Sequence, residues 1–189
     1  MDRSPLILAS GSPRRLDLLA RIGVVPDRVL PADIDESPRK AELPRQLAAR
    51  LALGKALASP EGLVLAADTV VGVGRRILGK PADAAEARRF LDLLSGRRHR
   101  VTTGVALVTP DGRLRERVVE TTLAFHRLTD AQAEGYVASG EWEGKAGGYA
   151  IHQRAEVFVR FLSGSHSNVV GLPLFETAQL LRGCGWLRP

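Results

Sequence analysis

The sequence predicts an α/β fold in which a mixed central sheet is flanked by helices. Two continuous apolar runs, residues 6–9 and 63–67, have the length and composition of buried strands. Helix-period segments with start and stop signals lie between the strand candidates, as β-α units require. Two strand pairs are joined by short turn-forming stretches, Gly74-Arg75-Arg76 and Pro110-Asp111-Gly112, which makes part of the sheet antiparallel.

The elements follow in order. After residues 6–9, Ser10-Gly11-Ser12-Pro13-Arg14-Arg15 reads as a strand-to-helix turn. Ser12 is a favourable N-cap, Pro13 suits the first helical position, and Leu16, Leu19 and Ile22 keep helical spacing up to Gly23. Arg14 and Arg15 then fall in the first turn, where the macrodipole is positive and backbone N–H groups are free. Two cations there are unfavourable unless an anion joins them, and a polyphosphate answers all three features. A capped surface helix with two solvated arginines is the alternative.

Residues 27–31 read as a short strand. The acidic loop Ala32-Asp33-Ile34-Asp35-Glu36-Ser37-Pro38 follows, whose carboxylates either hold a hard divalent cation or face solvent. A helix over residues 44–59 puts Lys55 near the apolar side with Leu47 and Leu51, so its ammonium must snorkel or meet an anion. The strand at 63–67 is expected to end in Asp68-Thr69, the position at which open sheets place ligand chemistry, or where an aspartate caps a turn. Residues 70–73 and 77–78 read as a hairpin. Gly79-Lys80-Pro81 precedes a helix opened by Asp83 and Glu86 and closed at Ser95-Gly96, a second turn suited to phosphate. Residues 101–108 and 114–128 read as antiparallel strands, and Thr129 with Gln132 caps a helix to about Ser139. A glycine-rich loop at 141–149, a strand at 157–162, a loop at 164–171 and a helix opened by Pro173 and stopped by Gly183 complete the chain.

The length of 189 residues predicts one domain, 1–189, large enough to bury a core. No apolar run reaches membrane-spanning length, and the N-terminus lacks the features of a signal peptide, so a cytoplasmic protein is expected. The single cysteine, Cys184, excludes an internal disulfide framework, and His99, His126, His152 and His166 have no zinc-type spacing. A net charge of +6 fits anionic partners, yet aromatics at 5% leave few stacking platforms for nucleic acid. Of 27 basic residues only Lys40, Lys55, Lys80 and Lys145 are lysine. In a chain so biased toward arginine, the remaining lysines mark places where a compact ammonium is needed, which singles out Lys55, Lys80 and Lys145.

Several stretches together resemble the Maf family of nucleoside triphosphate pyrophosphatases, also called septum formation proteins. They are Leu8-Ala9-Ser10-Gly11-Ser12-Pro13-Arg14-Arg15, Asp35-Glu36, Lys55, Ala67-Asp68-Thr69-Val70-Val71, Gly79-Lys80-Pro81, Leu94-Ser95-Gly96, Lys145-Ala146-Gly147-Gly148-Tyr149-Ala150-Ile151 and Asn168-Val169-Val170-Gly171-Leu172-Pro173-Leu174, in order through nearly the whole chain. The resemblance implies an elongated fold with a deep cleft, often as a homodimer, in which a nucleoside triphosphate is cut to monophosphate and pyrophosphate with a divalent metal, Mg²⁺ or Mn²⁺. Arg14, Asp68 and Thr69 match the branch acting on dTTP and UTP, while the glutamine expected after Ile151 is His152, with Gln153 beside it.

For such a reaction the triphosphate must be neutralised, water activated and the leaving group stabilised. Ser10, Ser12, Arg14, Arg15, Lys55 and Lys80 are the phosphate-side candidates, Thr69 and His152 the further substrate contacts, Glu36 the metal carboxylate and Asp68 the general base. A nucleotide-binding regulator without turnover, or a nucleic-acid-binding protein, are the rival readings.

Overall fold

The computed structural model describes residues 4–59 and 62–187. In chain order the elements are β1 (Leu6–Leu8), α1 (Pro13–Arg21), β2 (Arg28–Val29), α2 (Pro44–Leu57), β3 (Leu63–Val73), β4 (Arg76–Leu78), α3 (Ala84–Leu94), β5 (Arg98–Val108), β6 (Leu114–Phe125), α4 (Asp130–Ala138), β7 (Val159–Ser163), α5 (His166–Val170) and α6 (Leu174–Gly183). Among the described residues the strands form one mixed sheet in the order β2-β1-β3-β5-β6-β7, with β4 paired to the far end of β3. β1 runs parallel to β2 and β3, and the remaining pairs are antiparallel.

β3 is the spine. It does not end at Asp68-Thr69 as its apolar run suggests, but continues to Val73, in register with β5 throughout. The two polar residues are tolerated because one edge of the strand is open there. β1 pairs with Leu63, Val64 and Leu65, and β4 pairs only from Val71 onward. The intervening edge, at Ala66 to Val70, faces a cleft instead of a neighbouring strand.

Alternation along β3 sends successive side chains to opposite faces. Val64 and Ala66 meet Ile7, Ala52, Ala56 and Ala106 under α2. Leu65, Ala67 and Val71 join the larger core on the other face, with Leu18, Leu91, Val105 and Leu107. α2 lies very close to the sheet because its partners are small. A Cβ at Gly104 would sit 2.3 Å from the Ala48 carbonyl oxygen, so backbone packs on backbone there. The buried stripe of α2 runs Leu47, Ala48, Leu51, Ala52, Lys55, Ala56, and Lys55 occupies the place of a core residue.

Most other expectations match within a few residues. α1 starts at Pro13 after Ser12, Asp83 caps α3 by accepting from the Glu86 N–H, and Thr129 with Gln132 forms the capping box of α4. The loop expected at 164–171 contains the short helix α5, capped by the Ser165 hydroxyl, which is too brief to leave a periodic signal. The strand expected from 157 begins at Val159, after a 3-10 turn over Arg154–Phe158. No helix among the described residues is long and apolar enough to cross a membrane.

Candidate active site

A cavity of about 510 Å³ opens at the unpaired edge of β3. Its lining gathers every residue named from the sequence as a site candidate: Ser10, Ser12, Arg14 and Arg15 from the β1–α1 turn, Glu36, Lys55, Asp68, Thr69, Lys80 and His152. Three of the four lysines line it, including Lys145, while Lys40 does not. Five cationic side chains face three carboxylates, those of Glu36, Asp68 and Glu143.

The α2 face of the sheet supplies one wall. Lys55, held in the apolar stripe, does not snorkel; its Nζ lies 2.6 Å from Asp68 Oδ1 and 2.6 Å from Glu36 Oε1. Lys80 approaches the other Glu36 oxygen at 3.6 Å. Burial pushes the Asp68 carboxyl above its ordinary range, against the pull of Lys55 and Arg15. Glu36 is held below its usual value, because Lys55 and Lys80 outweigh its partial burial. The loop carrying Glu36 is fastened at two points. Ile34 packs toward the cluster of Leu47, Leu51 and Val70, and its Cδ1 takes the space beside Gly54. Arg50 on α2 donates to the Ser37 carbonyl at 3.0 Å and grips Glu42 through two bonds of 2.7 and 2.8 Å.

The opposite face supplies a second wall. Arg15 is buried, and burial lowers its guanidinium from the ordinary arginine value. Its Nε donates to the Gly171 carbonyl at 2.9 Å and its Nη1 to Ser10 Oγ at 2.8 Å, with Nη2 3.4 Å from Thr69 Oγ1. Arg15 is therefore largely committed to holding the β1–α1 turn against the loop after α5. Arg14, half-buried, makes no hydrogen bond or ion pair among the described residues and faces the cavity. The Ser12 hydroxyl makes no capping bond, so it too is left for a ligand. Two basic residues and no acidic one occupy the first turn of α1, leaving its positive end unneutralised within the protein.

The third wall is the glycine-rich loop. Gly147, at φ 73°, donates to the Gly79 carbonyl at 2.9 Å, and its missing side chain makes room for Val71. This stitches the loops bearing Lys80 and Lys145 together. Tyr149 hydrogen-bonds His99 Nε2 at 2.8 Å, and burial lowers His99 to about 4, so both are neutral packing groups. His152 stands at the rim. Partial burial, helped by Arg14, Lys145, His166 and Arg21, lowers its pKa.

Sequence reasoning left three contributors unassigned: Thr103, Asn168 and Gly171. Thr103 and Asn168 are buried polar residues behind Thr69, and the Gly171 carbonyl anchors Arg15. Asn168 and Gly171 stand within a stretch of family resemblance, but Thr103 is marked only by the strand register that sets it opposite Thr69.

Among the described residues no three His, Cys, Asp or Glu side chains converge to hold a metal by themselves. Glu36 and Asp68 are nevertheless a pair of carboxylates beside a cationic anion pocket. Mg²⁺ at phosphoryl-transfer sites is commonly held by one or two carboxylates together with substrate phosphates, so these residues fit an ion that arrives with its substrate.

The chain is similar to known proteins over nearly its whole length. The model of the Maf-like protein family matches residues 5–184. A dTTP/UTP pyrophosphatase of Sphingopyxis alaskensis is 63% identical over 183 residues, covering 95% of this chain and 96% of the relative. One of Novosphingobium aromaticivorans is 62% identical over 95% of this chain and 92% of its own. The solved structure of a HAM1 protein from Coxiella burnetii, 16% identical, superposes with a TM-score of 0.50 over 94% of this chain and 98% of its own, which shows a shared fold. By the family match along nearly its whole length, and by relatives identical at three positions in five, the chain belongs to the Maf-like protein family.

Proposed function

We propose that the chain is a nucleoside triphosphate pyrophosphatase that hydrolyses dTTP and UTP between the α and β phosphates. The observation that carries this reading is the pairing of an Asp68–Lys55–Glu36 cluster, in which Asp68 and Lys55 are buried, with an unneutralised helix N-terminus across one cavity. The name shared by relatives about 60% identical, dTTP/UTP pyrophosphatase, supports the same activity and substrates.

In this reading the triphosphate lies along the first turn of α1, with Ser10 and Ser12 beside it and Arg14, Lys80 and Lys145 neutralising its charge. Arg15 has most of its donors engaged and acts mainly by holding the turn in shape. Asp68 takes the proton of a water through the oxygen that Lys55 does not occupy, and its raised basicity suits that task. The water oxygen bonds to the α phosphorus, the bond to the bridging oxygen breaks, and pyrophosphate leaves with the electron pair. A divalent cation held by Glu36 and Asp68 would supply charge neutralisation on the phosphate oxygens. Thr69 and His152 face the base.

The test is phosphorus NMR of the products formed from dTTP, UTP, CTP and ATP with Mg²⁺ or Mn²⁺. Pyrophosphate and monophosphate, fastest from dTTP and UTP, are expected. Orthophosphate as the first product, or binding without turnover, would overturn the reading, the latter in favour of a nucleotide-binding regulator.

A further inference from the structure

Thr69 Oγ1 lies in a short hydroxyl relay behind the cavity. It is 2.9 Å from Thr103 Oγ1, and Thr103 Oγ1 is 3.1 Å from the Asn168 carbonyl oxygen. The alternative acceptor for the Thr69 proton is the Gly171 carbonyl, at 3.4 Å. Asn168 is itself pinned, its amide donating to the Val101 carbonyl and to Thr121 Oγ1 at 3.0 Å each. Thr103 is fully buried, and Thr69 and Thr103 are register partners on β3 and β5, so their side chains stand on the same face.

Each hydroxyl has one proton to give. The shorter set of bonds sends the Thr103 proton to Asn168 and the Thr69 proton to Thr103. The longer set sends the Thr69 proton to Gly171. In the shorter set the Thr69 proton is spent on Thr103 and its oxygen faces the cavity as an acceptor, whereas the Gly171 carbonyl, at 3.4 Å, is too distant to hold that proton firmly without Thr103. Arg15 Nη2 takes one lone pair at long range, and in the shorter set one lone pair remains for a ligand.

We propose that Thr103 is a specificity-positioning residue: by taking the Thr69 proton it presents Thr69 to the base as an acceptor only, which admits the N3–H of thymine or uracil and opposes the lone pair at N3 of cytosine. This rests on the proposed reading that the substrate is a pyrimidine triphosphate with Thr69 at its base. Thr103 touches no substrate; it acts through Thr69.

The experiment measures kcat/KM for UTP, CTP and N3-methyl-UTP in the wild type, Thr103→Val and Thr103→Ser. The wild type prefers UTP over both others. Thr103→Val, which keeps the shape but removes the acceptor, narrows the UTP to CTP ratio by roughly tenfold, the scale of one hydrogen bond, and leaves the UTP to N3-methyl-UTP ratio in place, because the freed hydroxyl still accepts from N3–H. Thr103→Ser, which keeps the hydroxyl, retains both ratios within about threefold, on the same single-bond scale. Thr103→Cys, whose thiol is a poor acceptor, gives the same narrowing and serves if the valine protein does not fold. An equal loss on all three substrates, with the ratios unchanged, would mean that Thr103 is merely structural and would overturn the proposal. A wild type without preference for UTP would instead overturn the substrate reading and the proposal together.

Discussion

At the scale of single residues, the site divides its labour by alternation along one strand. Asp68 turns to the α2 face and Lys55; Thr69, its neighbour, turns to the face of Arg15 and Thr103. One ligand crossing the open edge of β3 can therefore meet a basic carboxylate on one side and a hydrogen-bond reader on the other. Asp68→Asn is expected to keep the fold and lower kcat by roughly 10²–10⁴-fold, the usual worth of a general base. Because burial raises the Asp68 pKa, the acid limb of kcat against pH should lie above the ordinary aspartate value of 3.8. A stopped assay across pH 4–9 checks both, and near wild-type turnover by the asparagine protein would remove Asp68 from the base role. His152, lowered below 6.5 by partial burial and nearby cations, is neutral at pH 7 and above. His152→Gln should then sharpen the preference for dTTP and UTP over CTP by a factor that does not change between pH 7 and 9. A factor that varies across that interval would show a charged imidazole at work. Much of this site was legible in the sequence for a physical reason: a lysine kept among arginines, or an arginine pair at a helix start, is costly unless it meets an anion. Thr103 was not legible, since a threonine in a strand is ordinary until the register sets it against Thr69.

At the scale of elements, two devices set the distance between α2 and its surroundings. The first is the strap of Arg50, which ties the acidic loop to the helix that also carries Lys55. The Glu42 carboxyl is held at about 2, chiefly by its hydrogen bond to Arg50. A folded-state pKa below the unfolded one means that this tie contributes fully above about pH 4.3, the ordinary glutamate value, and is lost as the pH falls toward 2. Glu42→Gln should accordingly lower stability at pH 6, by about 1 kcal/mol for this part-buried pair, and leave it unchanged near pH 2, as Tm measured at the two pH values would show. Its more telling effect should be on the loop: a higher metal concentration for half-maximal activity, as Glu36 loses its support. The second device is Gly104, whose contact with the Ala48 carbonyl leaves no room for a methyl group. Gly104→Ala should cost about 1–3 kcal/mol in a urea melt and lower kcat as well, because the helix it displaces bears Lys55. Retained stability with full activity would show that α2 can give way. The hydrophobic pattern made these elements visible, but not their spacing. The continuation of β3 beyond Asp68 was hidden because a polar pair inside a strand reads as its end unless the open edge beside it is known.

At the scale of the whole molecule, the cavity is a place where charges are balanced in advance on one wall and left in excess on the other. Asp68, Lys55, Glu36 and Lys80 form, in that order, a chain of alternating sign, while Arg14 and Lys145 have no carboxylate partner among the described residues. With Lys55 already bound to both candidate metal carboxylates, the protein alone should take up Mn²⁺ weakly. Adding a non-hydrolysable α,β-imido analogue of dUTP should tighten that uptake by at least about tenfold, because phosphate oxygens complete the donor set. Paramagnetic titration of free Mn²⁺ reads this directly, and equally tight uptake without the analogue would contradict it. The contact at Gly104 has a consequence for how such an enzyme could change over generations. Where a helix rests on a sheet through side chains, substitutions can raise or lower it in small steps, and the chemistry between them drifts. Here main chain rests on main chain one residue from Thr103 and directly across the ladder from Asp68. Exchanges elsewhere along α2 have little leverage on that spacing, so new substrate preferences are more readily acquired at the loops of the rim than by shifting the base and its lysine apart.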